Sequence, residues 1–428
     1  MVSQMKDISS KGRSRQFRLI DIISFIYLSF ILIGSLSQSY MYIATGLFFV
    51  WLFVLLFSYL SSVKRIVHDR KTVLLVFYLI VAFFYGINSA PLEHCLKVFM
   101  EALMMFSPFM IFDHYKKNTA SLPILLSLLL VAWVGVSIAM LEFYNTIGNL
   151  YGDFYGEGAA RVVVSDKEAF GGMILGGGYS IAYGGALFVC VIVNMFLDKY
   201  LPSFIEKLIA VIVMITTLML VLKTESTITT ISMVVGVIVT IIYRDNAKAG
   251  TSKIFLLFGI IFFLICAKSI GKFLIEQSAN LEGVVSQRIA SFGASLAGSG
   301  GGDSDYTKMR FLIPFQSLGV FLESPIIGVS YLHGNGFVSP EVFGVGNHSE
   351  WCDALADYGL LGGVPYLLIY FLQVKEIKRM GLKFSIGWAV CLFLLGFFNP
   401  FRGFQSHIML FFMIPAIKLL YFNRLNNI

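Results

Sequence analysis

Apolar residues in this chain come in long blocks, not in the strict alternation of strands. The blocks lie near 19–35, 40–60, 72–88, 95–113, 120–144, 176–197, 204–222, 226–243, 254–271, 359–374, 384–400 and 406–422. Runs of roughly 20 apolar residues match the thickness of a bilayer core. Backbone groups in lipid must bond within their own segment, so each block is predicted to be a helix. The pattern therefore predicts an all-α polytopic membrane protein with about twelve transmembrane helices. The least regular block is 95–113, which holds Lys97 and Glu101, and the junction near 222–226 is tight.

The segments between the blocks test the count. Lys6, Lys11, Arg13, Arg15 and Arg18 precede the first block, and Lys64, Arg65, Arg70 and Lys71 follow the second. Lys116 and Lys117 follow the fourth, Lys199 and Lys207 the sixth, and Arg244, Lys248 and Lys253 the eighth. Lys375, Lys378, Arg379 and Lys383 follow the tenth, and Arg424 closes the chain. Every second loop is basic and the others are nearly free of Lys and Arg, which predicts cytoplasmic N- and C-termini. Residues 1–428 then form a single transmembrane domain. Two outer segments break the short-loop rule: 145–175, and the large external loop 272–358 between helices 9 and 10. The long loop carries Phe, Leu, Ile and Trp throughout, with a flexible joint at Gly298, Gly300, Gly301 and Gly302.

Composition agrees. Hydrophobic residues make up 57% and charged residues 13%, against about 25% charged in a soluble domain. The net charge of +7 is spread over short loops, which argues against nucleic acid as a partner. Cys95, Cys190, Cys266, Cys352 and Cys391 are far apart, and no Cys/His cluster suggests a metal or a disulfide framework. No cofactor motif is present. The first block contains Asp21 and lacks a small-residue cleavage site, so it reads as a retained helix. The aromatic residues, 15% of the chain, are expected to be mostly lipid-facing and interfacial, with no special role for Trp51, Trp133 or Trp388.

Candidate chemistry collects in the outer segments. Arg161 and Lys167 lie in the first, and Arg288, Lys308, Arg310, His333 and His348 in the second. A guanidinium binds phosphate oxygens in a two-pronged way; the plain alternative is a solvated loop charge. Arg310 falls in the first turns of a predicted helix, Asp305 to Phe321, that ends before Pro325. A cation there opposes the helix dipole unless an anion is bound. Further on, Asn347 followed by Glu350 resembles a capping box, so a helix is predicted to start there with His348 in its first turn. The helix dipole disfavours a second proton on that ring, and a neutral imidazole can act as a general base. The alternative is a polar surface or capping residue. Glu350, Asp353 and Asp357 flank it, either as solvated acids on an external helix or as groups that orient His348 or accept a sugar hydroxyl. Lys97 and Glu101, four apart, read as an internal ion pair.

From Arg310 onward the order of features is Arg310, an apolar helix, Glu323-Ser324-Pro325-Ile326-Ile327-Gly328-Val329, Asn347-His348-Ser349, and Leu355-Ala356-Asp357-Tyr358-Gly359-Leu360-Leu361-Gly362. This resembles the O-antigen polymerase and O-antigen ligase superfamily of bacterial envelopes. The likeness is close over roughly 310–375 and elsewhere extends only to span number and the late external loop. The chain departs from the usual pattern at Ser349, at Asp357-Tyr358 and at Thr224-Glu225-Ser226-Thr227, where an arginine is common.

The resemblance implies a GT-C-like fold and a metal-independent, inverting glycosyltransferase with no cofactor. Its donor would be an undecaprenyl-diphosphate-linked oligosaccharide at the periplasmic face of the inner membrane. By match to the family pattern, His348 would be the base and Arg310 would hold the diphosphate; Arg288, Arg161 and Lys308 join Arg310 on charge and location. The expected activity is a repeat-unit polymerase, with an O-antigen ligase acting on lipid A-core as the alternative. A lipid-linked oligosaccharide flippase is the third reading, disfavoured because the charges gather in one external loop. A chain-length regulator and a separate flippase are expected partners by resemblance only.

Overall fold

The computed structural model describes residues 18–33, 38–87, 92–117, 119–151, 179–197, 200–201, 203–224, 226–243, 304–329, 349–380, 386–401 and 403–425, with residues 269, 271–279, 290, 293 and 345. Those residues are overwhelmingly helical and contain no strand. The principal helices are α1 (Leu19–Ile33), α2 (Gln38–Ser58), α3 (Leu60–His68), α4 (Arg70–Ile87), α5 (Leu92–Tyr115), α6 (Leu122–Tyr151) and α7 (Tyr179–Leu197). They continue with α8 (Phe204–Lys223), α9 (Thr227–Ile242), α10 (Ser304–Glu323), α11 (Glu350–Arg379) and α12 (Gly387–Phe398). The last rod, α13, joins Phe404–Ile408, a π-helical turn at Met409–Met413, and Ile414–Leu425.

A helix lies on every predicted block except 254–271, of which only 269 and 271 are described. Among the described residues, five helices are long and apolar enough to cross a membrane, or six if α2 and α3, bent by 116° at Tyr59, count as one broken span. Two boundaries differ from expectation. Helix α6 runs on to Tyr151, inside the predicted outer segment 145–175. Helix α11 starts at Glu350, nine residues before the predicted block at 359, but departs from helical geometry at Gly359.

Helix α7 is the hub. Its span window is 83% buried, against 28% for its neighbour α8. On α8, Phe204, Ile205, Ile209, Ile212, Ile215 and Met219 all face outward. In water that face would drive aggregation; in lipid it costs nothing, because acyl chains are as apolar as leucine. Close approach of backbones supplies the packing instead. A Cβ at Gly236 of α9 would stand 2.9 Å from the Gly387 carbonyl oxygen of α12, so glycine lets these two helices touch.

The aromatic residues correct the sequence reading. Trp51, Trp133, Phe106, Phe109, Phe112, Phe401 and Phe411 are fully buried, and Trp388 nearly so. Two of the tryptophans also fix helix pairs by donating from Nε1, Trp51 to Ser24 Oγ at 2.9 Å and Trp133 to Thr217 Oγ1 at 3.0 Å. Asp21 is buried at the start of α1 and accepts from Tyr115 Oη, Ser121 Oγ and the Arg18 backbone N–H at 2.8, 2.8 and 2.9 Å. An acid in the first apolar block is thus accommodated by three donors near a helix N-terminus.

Candidate functional site

Helix α11 carries two polar regions of the interior, one toward each end. It begins with Ser349 as N-cap, whose Oγ accepts from the Cys352 N–H at 3.3 Å. The predicted cap at Asn347 is therefore corrected: the helix starts two residues later, and position 348 precedes the cap instead of lying in the first turn. Ser349 serves better because Asp353 Oδ2 accepts its backbone N–H at 2.9 Å, closing the cap from both sides. Asp353 Oδ1 accepts from Ser317 Oγ at 2.6 Å, which ties α10 to the start of α11. The Glu350 N–H donates to the Asn399 carbonyl at 3.2 Å, and Trp351 Nε1 to the Phe393 carbonyl at 3.0 Å. The start of α11 thus sits on the spent carbonyl end of α12, where opposite dipole ends meet.

Glu350 and Asp353 are 1% and 2% exposed, so the reading of them as solvated acids fails. Both are committed to protein donors. Asp357 is half-buried, one helical turn beyond Asp353 and two residues before the Gly359 break.

The break itself joins two of the motif stretches. Gly359 has φ +59° and Gly328 φ +76°, conformations that L side chains rarely adopt. The Leu360 N–H donates to the Pro325 carbonyl at 2.8 Å, and the Leu361 N–H to the Ile326 carbonyl at 3.0 Å. A Cβ at Gly328 would collide with the Asp357 carbonyl, and one at Gly359 with the Ile326 carbonyl. Pro325–Gly328, at the end of α10, therefore clasps Asp357–Leu361 backbone to backbone. The donors that the break removes from the α11 ladder are satisfied by the turn after α10.

Below the break, Tyr366 and Tyr370 lie four residues apart on one face. Tyr366 Oη is hydrogen-bonded to Glu350 Oε1 and lies 3.0 Å from Tyr370 Oη, which lies 2.7 Å from His407 Nε2. His407 Nδ1 faces the Gly403 carbonyl at 2.7 Å. A carbonyl only accepts, so Nδ1 carries hydrogen. The rings of Phe106, Phe401 and Phe411 stand 5.3, 5.7 and 5.7 Å from the imidazole, and Trp351 stands 5.0 Å from Tyr370. The π-helical turn follows two residues after His407, an irregularity frequent at functional sites. The sequence reading missed this chain. An ionisable residue inside an apolar block is the signal that marks His407.

The far end of α11 carries ion pairs. Lys71, itself buried, donates to Gln373 Oε1 at 2.9 Å and to Glu376 Oε2 at 2.5 Å. Lys116 also pairs with Glu376, and Arg65 Nε holds Asp113 Oδ2 at 2.7 Å. Burial pulls the Lys116 ammonium down, but Glu376 and Asp113 outweigh it and the net shift is upward. Three segments predicted to share one side of the membrane, 64–71, 116–117 and 375–379, thus meet at one end of the bundle.

Of the proposed phosphate-binding and catalytic residues, Arg161, Arg288 and His348 lie outside the described residues. Lys308 and Arg310 lie on α10, in the helix expected there, with only their backbone positions described. Position 310 is seven residues before Ser317 and so on the same helix face, about 10 Å further along the axis. Of the expected Lys97–Glu101 pair, the Lys97 side chain lies outside the described residues. Among the described residues no group of three or more His, Cys, Asp or Glu side chains is placed to hold a metal.

The outward apolar faces, and helices long and apolar enough to cross a bilayer, mark a helical membrane protein. No protein-family model and no curated protein matches the chain.

Proposed function

We propose that this chain is a repeat-unit polymerase of the bacterial envelope, in the O-antigen polymerase and ligase superfamily. It moves a growing glycan from polyprenyl diphosphate to the next lipid-linked repeat unit. The observation that carries this reading is the clasp of Pro325–Gly328 onto Asp357–Leu361. These two stretches belong to one sequence pattern, and their joining sets the end of the Arg310 helix against the Gly359 break of α11, the helix that follows the histidine stretch.

In this reading the chain crosses the inner membrane about twelve times in a GT-C-like fold, with both termini in the cytoplasm. The Lys71–Glu376 end faces the cytoplasm, as the basic segments there require. The Gly359 break, with the α11 start beyond it, then faces the periplasm, about 30 Å away along Leu360–Arg379. The bond from the anomeric carbon to the diphosphate oxygen breaks, and a bond from that carbon to the acceptor oxygen forms. The diphosphate leaves with the electron pair, held by Arg310 with Arg288, Arg161 and Lys308. His348 takes the acceptor proton. Asp357, half-buried two residues before the Gly359 break, is the acid assigned to a sugar hydroxyl.

The test is a gel of envelope glycan from a strain lacking the gene, complemented with wild type or with His348→Ala. The deletion should leave single repeat units on the lipid core, and the variant should fail to restore long chains at normal protein level. Loss of all units from the core would make the chain a ligase instead. Full-length chains from the variant would remove His348 as the base.

A further inference from the structure

Counting protons along the interior chain gives a result that the transferase reading does not need but can use. Three contacts lie in series: Glu350 to Tyr366, Tyr366 to Tyr370 at 3.0 Å, and Tyr370 to His407 Nε2 at 2.7 Å. Each needs one proton between its two atoms. The phenols supply one apiece, and the Nδ1 hydrogen of His407 is turned to Gly403. The third proton therefore sits either on Glu350 or on His407 Nε2. In the first arrangement every hydrogen points toward His407, and in the second every hydrogen points toward Glu350. One arrangement becomes the other when three protons each cross one hydrogen bond. Glu350 loses a proton, His407 gains one, and both phenols end as they began.

We propose that Glu350, Tyr366, Tyr370 and His407 form a relay with one mobile proton, whose shift sets the charge on Glu350 during sugar transfer; this rests on the transferase reading above. The ring sheath of Phe106, Phe401, Phe411 and Trp351 excludes water, so the proton stays in the chain. Two opposing effects act on its position. Separated ions in apolar surroundings are costly, whereas the dipole of α11 favours a carboxylate at Glu350. A cation formed at the start of α11 shifts the balance toward the carboxylate. Position 348 is two residues upstream, so a base that has just taken the acceptor proton is such a cation. Tyr366, Tyr370 and His407 are then positioning residues that act through Glu350.

The experiment compares the full-length protein in lipid nanodiscs with its Tyr370→Phe variant, which keeps the ring and deletes the middle link. The infrared signal of Glu350, identified by its loss in Glu350→Gln, is expected to change in Tyr370→Phe, although the variant leaves the Tyr366 contact to that carboxyl in place. Turnover of a lipid-linked repeat unit is expected to fall roughly tenfold with unchanged KM. An identical Glu350 signal in both proteins, or unchanged turnover, overturns the relay. Should Tyr370→Phe fail to fold, His407→Gln removes the terminal acceptor and is read in the same way. Wild-type protein with no turnover on any lipid-linked sugar would remove the transferase reading, and the infrared comparison still decides the relay by itself.

Discussion

The two ends of α11 solve the problem of polar groups inside a helical bundle differently. At the Gln373–Glu376 end, charges of opposite sign are held in direct contact, with Lys71 and Lys116 on one carboxylate. At the Glu350 end, an acid reaches an imidazole only through two phenols. The first arrangement is rigid, because both partners lose if either moves. The second has two proton placements of the same connectivity. A lock suits the end where three basic segments must be pinned together, and a chain with two settings suits the end where chemistry is proposed.

The comparison can be broken most severely at the joint between the ends. Gly359→Ala puts a side chain into a left-handed position already filled by the Ile326 carbonyl. A loss of about 4 kcal/mol or more is expected, enough to remove folded protein from the membrane. Normal yield and melting temperature for this variant would show that the clasp is not needed.

Glu376→Ala tests the lock. It strands Lys71, whose side chain is 4% exposed, and should cost about 3 kcal/mol, read as a lower melting temperature in detergent. The pH dependence follows from the charges. The Glu376 carboxylate holds two ammonium groups, so its contribution is lost once falling pH protonates it. Lys116 sits above its ordinary value, so its contribution is present below the ordinary lysine range and is lost as pH rises through the folded value. The lock is complete around neutrality, and Glu376→Ala should flatten the acid limb of the stability curve. An acid limb identical to wild type would show that Glu376 does not hold the bundle.

The smallest expected effect is Ser317→Ala, which deletes one hydrogen bond to a buried carboxylate. A loss of about 1.5–2 kcal/mol is expected, with normal behaviour at the Glu376 end. A change in the acid limb would mean that the two ends are coupled and the contrast between them is false.

Much of the fold was legible along the chain. Block length marked the helices, and Pro325 marked the end of α10; that Gly328 and Gly359 meet in a clasp was decided only by the packing. The alternation of basic loops placed 64–71, 116–117 and 375–379 together, and the ion pairs of Lys71, Lys116 and Glu376 show them in contact. The start of α11 was misread by two residues because Asn347 and Ser349 both have capping side chains, and only the tertiary partner Asp353 decides between them.

Composition and block length alone determined that this is a helical membrane protein, since lipid requires each segment to satisfy its own backbone. Which face of each helix looks inward was decided only by the packed bundle. In water, periodic polarity marks the exposed face, but in lipid both faces are apolar and the pattern is silent. Trp51 and Trp133, given no special role from the sequence, are buried, whereas Phe204 and Ile205 face outward. For the same reason Glu350, Tyr366 and His407, separated by 16 and 41 residues, gave no sign in the sequence that they belong to one chain of hydrogen bonds.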